Sequence, residues 1–198
     1  MAKPKPMWGS RPILVSAGNS ETGRDFAAHN ADCLFTTIPP RFEDLAVKIA
    51  AFRTAAPAGQ QRTLAGASPP ANPMRQVFSS AHLVVRKTRK EAEDYQHYIV
   101  HEQGDWDAAD YAYKLRGSRV GVWLEKADEQ RLKARLISGA GYPIVGSYDD
   151  AVATFQRMSE AGLDGMALGM VNYIDELARV RDELLPRMER AGLRVRFS

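Results

Sequence analysis

Apolar residues along this chain alternate between short continuous runs and longer stretches in which they recur every third or fourth position, which is the pattern of strands alternating with helices. Ile13, Leu14 and Val15 open the series as a strand, and a helix is predicted over 21–31 with Ser20 as its N-cap. The next strand spans 32–38. A helix over 42–56 follows, in which Phe42, Leu45, Ile49 and Phe52 fall at helical spacing. Residues 57–75, rich in Ala, Gly, Pro and Gln, read as a loop. A third strand is predicted around 76–85, after which Thr88 and Glu91 form a capping-box pattern opening a helix toward Val100.

The rhythm breaks over 102–140, where GDWDAADYAYKLRG, a short aromatic stretch and a charged helical run over 125–136 read as an insertion. It resumes at Ser147, which caps a helix with Asp150 at the capping-box position; Val152, Phe155 and Met158 mark the buried side and Gly162 the stop. A strand over 165–171 and a last helix over 175–191 complete the series, with Leu177, Val180, Leu184 and Met188 on one face. The Ala-Gly-Leu stop at Gly162 recurs at Gly192, so two left-handed glycine caps are expected. Four strands, each followed by a helix, imply right-handed parallel crossovers in one domain over 1–198, with 1–11 as a linker. Two architectures satisfy this: a small open α/β sheet, or part of a (β/α)8 barrel, which needs eight such units.

Composition narrows the function classes. At 198 residues with 44% hydrophobic and 26% charged residues, the chain can bury one substantial core. Its 27 basic and 24 acidic residues are interleaved, and Arg187, Arg190, Arg194 and Arg196 gather where the final helix dipole favours cations, so no nucleic-acid partner is expected. Cys33 is the sole cysteine. It cannot form a disulfide within the chain, is expected as a core thiol, and suits a reducing compartment. The opening MAKPKPMWG is polar and no apolar run approaches the roughly 18 residues of a bilayer span, so a cytoplasmic protein with no membrane partner is expected.

The junction Ala17-Gly18-Asn19-Ser20 carries the clearest candidate chemistry. A strand runs through a Cβ-free position into a helix whose first N–H groups lack intrahelical acceptors, an arrangement that favours an anion such as phosphate. Ordinary strand-to-helix turn chemistry is the competing account. Gly18 and Gly23 have P-loop spacing, but Arg24 and Asp25 stand where Lys and Ser or Thr are required, and no G-x-G-x-x-G occurs. His97 and His101 share a helix face at i and i+4, yet H-Y-I-V-H lacks the glutamate of a zinc hydrolase, and no metal site is expected. No G-x-S-x-G elbow exists, and loop solvation accounts for Asp105, Asp107 and Asp110.

Three segments, AKPKPMWGSRPILVSAGNSETGRDFAAHNADCLF, HLVVRKTRKEAEDYQHY and GYPIVGSYDDAVATFQRMSEAGLDGMALGMVNYIDELARVRDELLPRMERAGLR, occur in one order. Together they resemble the C-terminal half of bacterial luciferase-like flavin-dependent monooxygenases, especially the alkanesulfonate, dimethylsulfone and pyrimidine oxygenases. The resemblance implies a partial (β/α)8 barrel of four C-terminal βα units, reduced FMN supplied by a partner flavin reductase, and O2 used to oxygenate a small organic substrate. The deazaflavin of related proteins is a second cofactor option. The family's turn after its fifth strand contacts the FMN phosphate and maps onto Gly18, Asn19 and Ser20, with Asn19 acting through its backbone N–H.

The resemblance begins in the linker before the family's fifth strand, whereas most of the family's ring and substrate contacts come from its first four. Candidates in the matching part are His82 and, beside Gly141, Tyr142 for catalysis, with Arg131 and Arg135 for an anionic substrate group. A hydrogen-bonded core histidine, a packing tyrosine and a solvated helix face are the respective alternatives. A half-barrel leaves strand edges and an inner apolar layer uncovered, which implies a homo-oligomer or a complementary half-barrel partner. The alternative functions are a non-catalytic remnant or interaction module that keeps the phosphate turn, and another phosphate-binding barrel enzyme.

Overall fold

A computed structural model describes residues 13–18, 20–54, 76–120, 126–139 and 141–195. Five strands occur among them: β1 (Val15–Ser16), β2 (Cys33–Phe35), β3 (Gln76–Arg86), β4 (Tyr142–Ser147) and β5 (Gly165–Gly169). The helices are α1 (Glu21–Asn30), α2 (Phe42–Thr54), α3 (Arg89–His97), α4 (Trp106–Val120), α5 (Lys126–Ile137), α6 (Tyr148–Glu160), α7 (Tyr173–Arg179) and α8 (Leu185–Arg190). Two π turns, Tyr98–Glu102 and Val180–Leu184, extend α3 and join α7 to α8. The chain divides into two compact units, one of Met1–Ser79 with Met158–Met166 and one of Ser80–Arg157 with Ala167–Ser198. The predicted loop over 57–75 lies outside the described residues.

In the first unit β1 pairs in parallel with β2, Val15 opposite Cys33, and β2 pairs in parallel with the start of β3, Leu34 opposite Val77. The predicted face of α2 is the buried one: Phe42, Leu45, Ile49 and Phe52 are all inside. Leu34, Ile38, Val77 and Leu163 add to this core. Asp164 ties the layer together. Its Oδ2 accepts from the Val77 N–H at 2.7 Å and from Arg53 Nη2 at 2.8 Å, and the same guanidinium nitrogen donates to the Gly162 carbonyl at 2.9 Å. Cys33 is buried, and burial first, with Asp32 and Asp164 adding, raises its thiol pKa, so it is an inert core group.

In the second unit the rest of β3 pairs in parallel with β4, from Ala81 opposite Tyr142 to Arg86 opposite Ser147. Val84, Ala92, Ile99 and Val100 form a core cluster against which Tyr95, Trp106, Ala134, Ile137 and Val145 pack. Glu176 of α7 is 4% exposed and receives both terminal nitrogens of Arg86, at 2.9 and 2.7 Å. The guanidinium also lies 4.0 Å from the Tyr95 ring centroid.

The caps follow the sequence closely. Thr88 accepts from the Glu91 N–H at 3.2 Å, and Ser147 closes a reciprocal box with Asp150. Gly162 (φ 96°) and Gly192 (φ 72°) hold left-handed stops, and the N–H of each trailing leucine reaches back five residues, Leu163 to Met158 and Leu193 to Met188, both at 3.0 Å.

Three elements depart from expectation. YPIVGS, which falls outside the four expected strands, forms β4, a fifth; its Pro143 suits a strand registered here on one side only. The acidic, aromatic stretch after Gly104 is helical, because Asp105 caps α4 by accepting from the Ala108 N–H at 2.8 Å. The final helical run starts at Tyr173, not Asp175, since Asn172 accepts from the N–H groups of Ile174 and Asp175.

Candidate functional site

The first unit presents an open helix start. Ser20 Oγ accepts from the Gly23 N–H at 3.1 Å, and the Arg24 N–H donates to the Ser20 carbonyl at 2.8 Å. Helix geometry therefore leaves the N–H groups of Glu21 and Thr22 without intrahelical acceptors. Gly18 and Gly23 pack backbone on backbone. A Cβ on Gly18 would lie 2.5 Å from the Gly23 carbonyl oxygen, so the strand end crosses the first helical turn only because both lack side chains. Ser20 and Glu21 are exposed and Gly18 half-buried, which leaves the donors accessible. The Glu21 carboxylate at this positive helix end opposes an anion. Asn19 lies outside the described residues.

The remaining candidates fall in the second unit, and the structure gives each a definite setting. His82 on β3 is 2% exposed, and its Nε2 has no hydrogen-bond partner within geometric limits. Burial holds its pKa below the usual imidazole value, with Gln96 and Glu176 acting in the opposite sense. Gln96 Nε2 donates to Ser138 Oγ at 2.8 Å, and Ser138 donates on to the Ala134 carbonyl at 2.9 Å. The orphaned atoms His82 Nε2 and Gln96 Oε1 both belong to this cluster. Gly141 lies against it so tightly that a Cβ there would be 2.7 Å from the Ala81 carbonyl carbon. His82 thus stands in a neutral polar core.

Tyr142 starts β4 opposite Ala81 and is half-buried. Arg135 Nε donates to the Gly141 carbonyl at 3.0 Å, fastening the end of α5 to the start of β4. Arg131 is exposed and ion-paired with Asp128, three residues earlier on the same helix, as a solvated face would be. The structure brings His82, Gly141, Tyr142 and Arg135 together where the start of β4 meets the middle of β3, with Arg131 apart from them. Among the described residues no group of three ligating side chains could hold a metal.

One feature was not anticipated from sequence. An apolar cavity of about 530 Å3 opens in the second unit, with Tyr95, Tyr98, Ile99, Gln103, Ala109 and Ile137 among its walls. The tyrosine rings stack with centroids 6.2 Å apart. Their i, i+3 spacing within HLVVRKTRKEAEDYQHY is the signal that could have marked a shared face.

No family model matches the chain, and no curated protein matches its sequence. Solved structures do. A riboflavin lyase determined with modified FMN and riboflavin superposes with TM-score 0.69 at 20% identity, covering 93% of this chain and 44% of its own. A long-chain alkane monooxygenase gives 0.69 at 22% identity, covering 94% and 43%, and an EDTA monooxygenase from Chelativorans sp. BNC1 gives 0.61 at 17%, covering 98% and 50%. The fold is that of a partial (β/α)8 barrel. The chain spans about half the length of these neighbours or less, and at such identities the likeness shows the fold alone. No described helix is long and apolar enough to cross a membrane.

Proposed function

We propose that this chain serves a luciferase-like flavin-dependent monooxygenase reaction, with reduced FMN from a partner reductase and O2 acting on a small organic molecule. The observation that carries the reading is the open start of α1, whose Glu21 and Thr22 N–H groups and Ser20 hydroxyl suit a phosphate, in a fold shared with an FMN-bearing lyase and two monooxygenases. Bound reduced flavin would supply the electrons for oxygen chemistry. The protein's part is to anchor the phosphate at Gly18, Asn19 and Ser20, Asn19 entering through the resemblance alone. The second unit's apolar cavity suits a small organic ligand. A lone buried thiol fits a cytoplasmic setting.

A second reading, a binding module that keeps the phosphate turn without turnover, draws on the candidate side chains: His82 is sealed in the core, Arg135 is engaged with Gly141 and Arg131 with Asp128. Titration with FMN, riboflavin and a deazaflavin, oxidised and reduced, separates these accounts. Micromolar FMN binding that needs the phosphate, with substrate-dependent oxygen uptake once a reductase is added, supports the oxygenase. Binding without oxygen uptake favours the module. A folded chain that binds no flavin sinks the flavin reading and brings forward another phosphate ligand.

Self-association belongs to the same proposal. Ile13, Leu14 and Val15 are 63, 45 and 59% exposed, and among the described pairings β1 meets only β2. A monodisperse monomer in light scattering would remove it.

A further inference from the structure

We propose that His97 and His101 form a two-imidazole chelate for a late first-row divalent cation, Cu2+ above Zn2+, with water completing the coordination. The missing glutamate of H-Y-I-V-H bears on hydrolysis and says nothing about chelation. Both histidines are exposed, and their ring centroids lie 4.6 Å apart. Two imidazoles on one metal, each nitrogen about 2.0–2.1 Å from it and each ring centre about 1.1 Å further out, have centroids about 4.5 Å apart at a right angle and about 5.2 Å apart at the tetrahedral angle. The observed spacing falls at the start of that range. Among the described residues no hydrogen bond or ion pair occupies either ring.

His101 is also held by its surroundings. His97 ends α3 and His101 sits in the π turn, closed by the Gln103 N–H donating to the Tyr98 carbonyl at 3.0 Å. Gly104 lets the chain double back there, since a Cβ on it would meet the Val100 carbonyl oxygen at 2.1 Å. Trp106 then donates its Nε1–H to that carbonyl at 2.9 Å and stacks on His101 with centroids 5.8 Å apart. His101 is thus flanked by His97 and by an anchored indole, and a chelate held in place loses little side-chain freedom on binding. Neutral imidazoles suit Zn2+, Ni2+ and Cu2+, and affinity at such a site follows the order in which copper leads.

Calorimetric titration of the whole chain with Zn2+, and then Cu2+, tests this at pH 7.5. One equivalent should bind, Cu2+ the more tightly. His97→Asn and His101→Asn should each lose tenfold or more, whereas His29→Asn, on α1, should lose nothing. Retention of the native circular dichroism spectrum confirms that the variants fold. Absence of binding at 0.1 mM metal (about the weak limit for a useful two-ligand site), or equal affinity in all three folded variants, overturns the proposal.

Discussion

The helices α1 and α6 begin alike in sequence, each with a serine after a short strand, but their starts are put to different use. At α6 the serine and the N3 side chain satisfy one another: Ser147 Oγ accepts from the Asp150 N–H at 3.1 Å and donates to Asp150 Oδ2 at 2.7 Å, while the Ser147 N–H reaches the same carboxylate oxygen at 2.8 Å. Arg89 covers the remaining oxygen at 2.6 Å. At α1 the N3 position is Gly23, which brings no side chain, so Ser20 caps once and no N3 side chain returns to its own N–H. Both starts leave their N1 and N2 N–H groups without intrahelical acceptors; they differ in that the Asp150 carboxylate closes the box at α6, whereas at α1 no N3 side chain stands between those donors and a ligand.

The largest break in this contrast comes from the second unit's inward pairing. Glu176→Ala should destabilise the protein by about 3–5 kcal/mol in urea unfolding, because it leaves Arg86 charged and buried. Breaking the exposed pair Arg181 and Asp182 should leave the unfolding midpoint unchanged. A small effect at Glu176 would mean water reaches Arg86. Asp150→Ala should cost about 1–2 kcal/mol at pH 7 with no change in FMN affinity. The Ser147 contacts, then Arg89, hold the Asp150 pKa below its ordinary 3.8, so its contribution is complete above that value and fades as pH falls through the folded pKa. The variant and the parent should converge in acid.

Ser20→Ala should do the reverse. It should weaken FMN by about 5- to 30-fold, equivalent to about 1–2 kcal/mol, while riboflavin is unaffected and stability falls by less than the loss of the Asp150 box. Unchanged FMN affinity would remove Ser20 from the site. The buried His82 gives a separate acid signature. Because its folded pKa is lowered from 6.5, the unfolded chain takes up a proton first, and stability declines as pH drops below 6.5 toward the folded value. The slope should reach at most about 1.4 kcal/mol per pH unit, and a folded His82→Gln variant should lose it. The smallest effect on FMN affinity is expected at Glu21→Gln, where removing a negative charge beside the helix start should tighten FMN about two- to fivefold.

Caps and helix faces were legible because they are local. Ser147 with Asp150, the leucine-trailed stops at Gly162 and Gly192, and the buried side of α2 each depend on residues within a few positions of one another. The pairing of Arg86 with Glu176, ninety residues away in sequence, leaves no such mark. Strand β4 escaped notice because Pro143 and two small residues dilute its apolar run, and it becomes a strand only by lying against β3. The candidate site divides in the same way. The phosphate turn could be read from Gly18 to Ser20, whereas the burial of His82 and the cavity beside Tyr95 and Tyr98 depend on distant segments meeting.

Asp164 and its neighbours carry a consequence for synthesis. The first unit is finished by Met158–Met166, whose Asp164 supplies the acceptor for Val77 and Arg53. A ribosome making this chain must therefore translate all of residues 80–157 before the N-terminal unit can close. At about 5–20 residues per second that wait lasts roughly 4–16 s, during which β1 and β2 stand as exposed nascent strands in need of shelter from their neighbours.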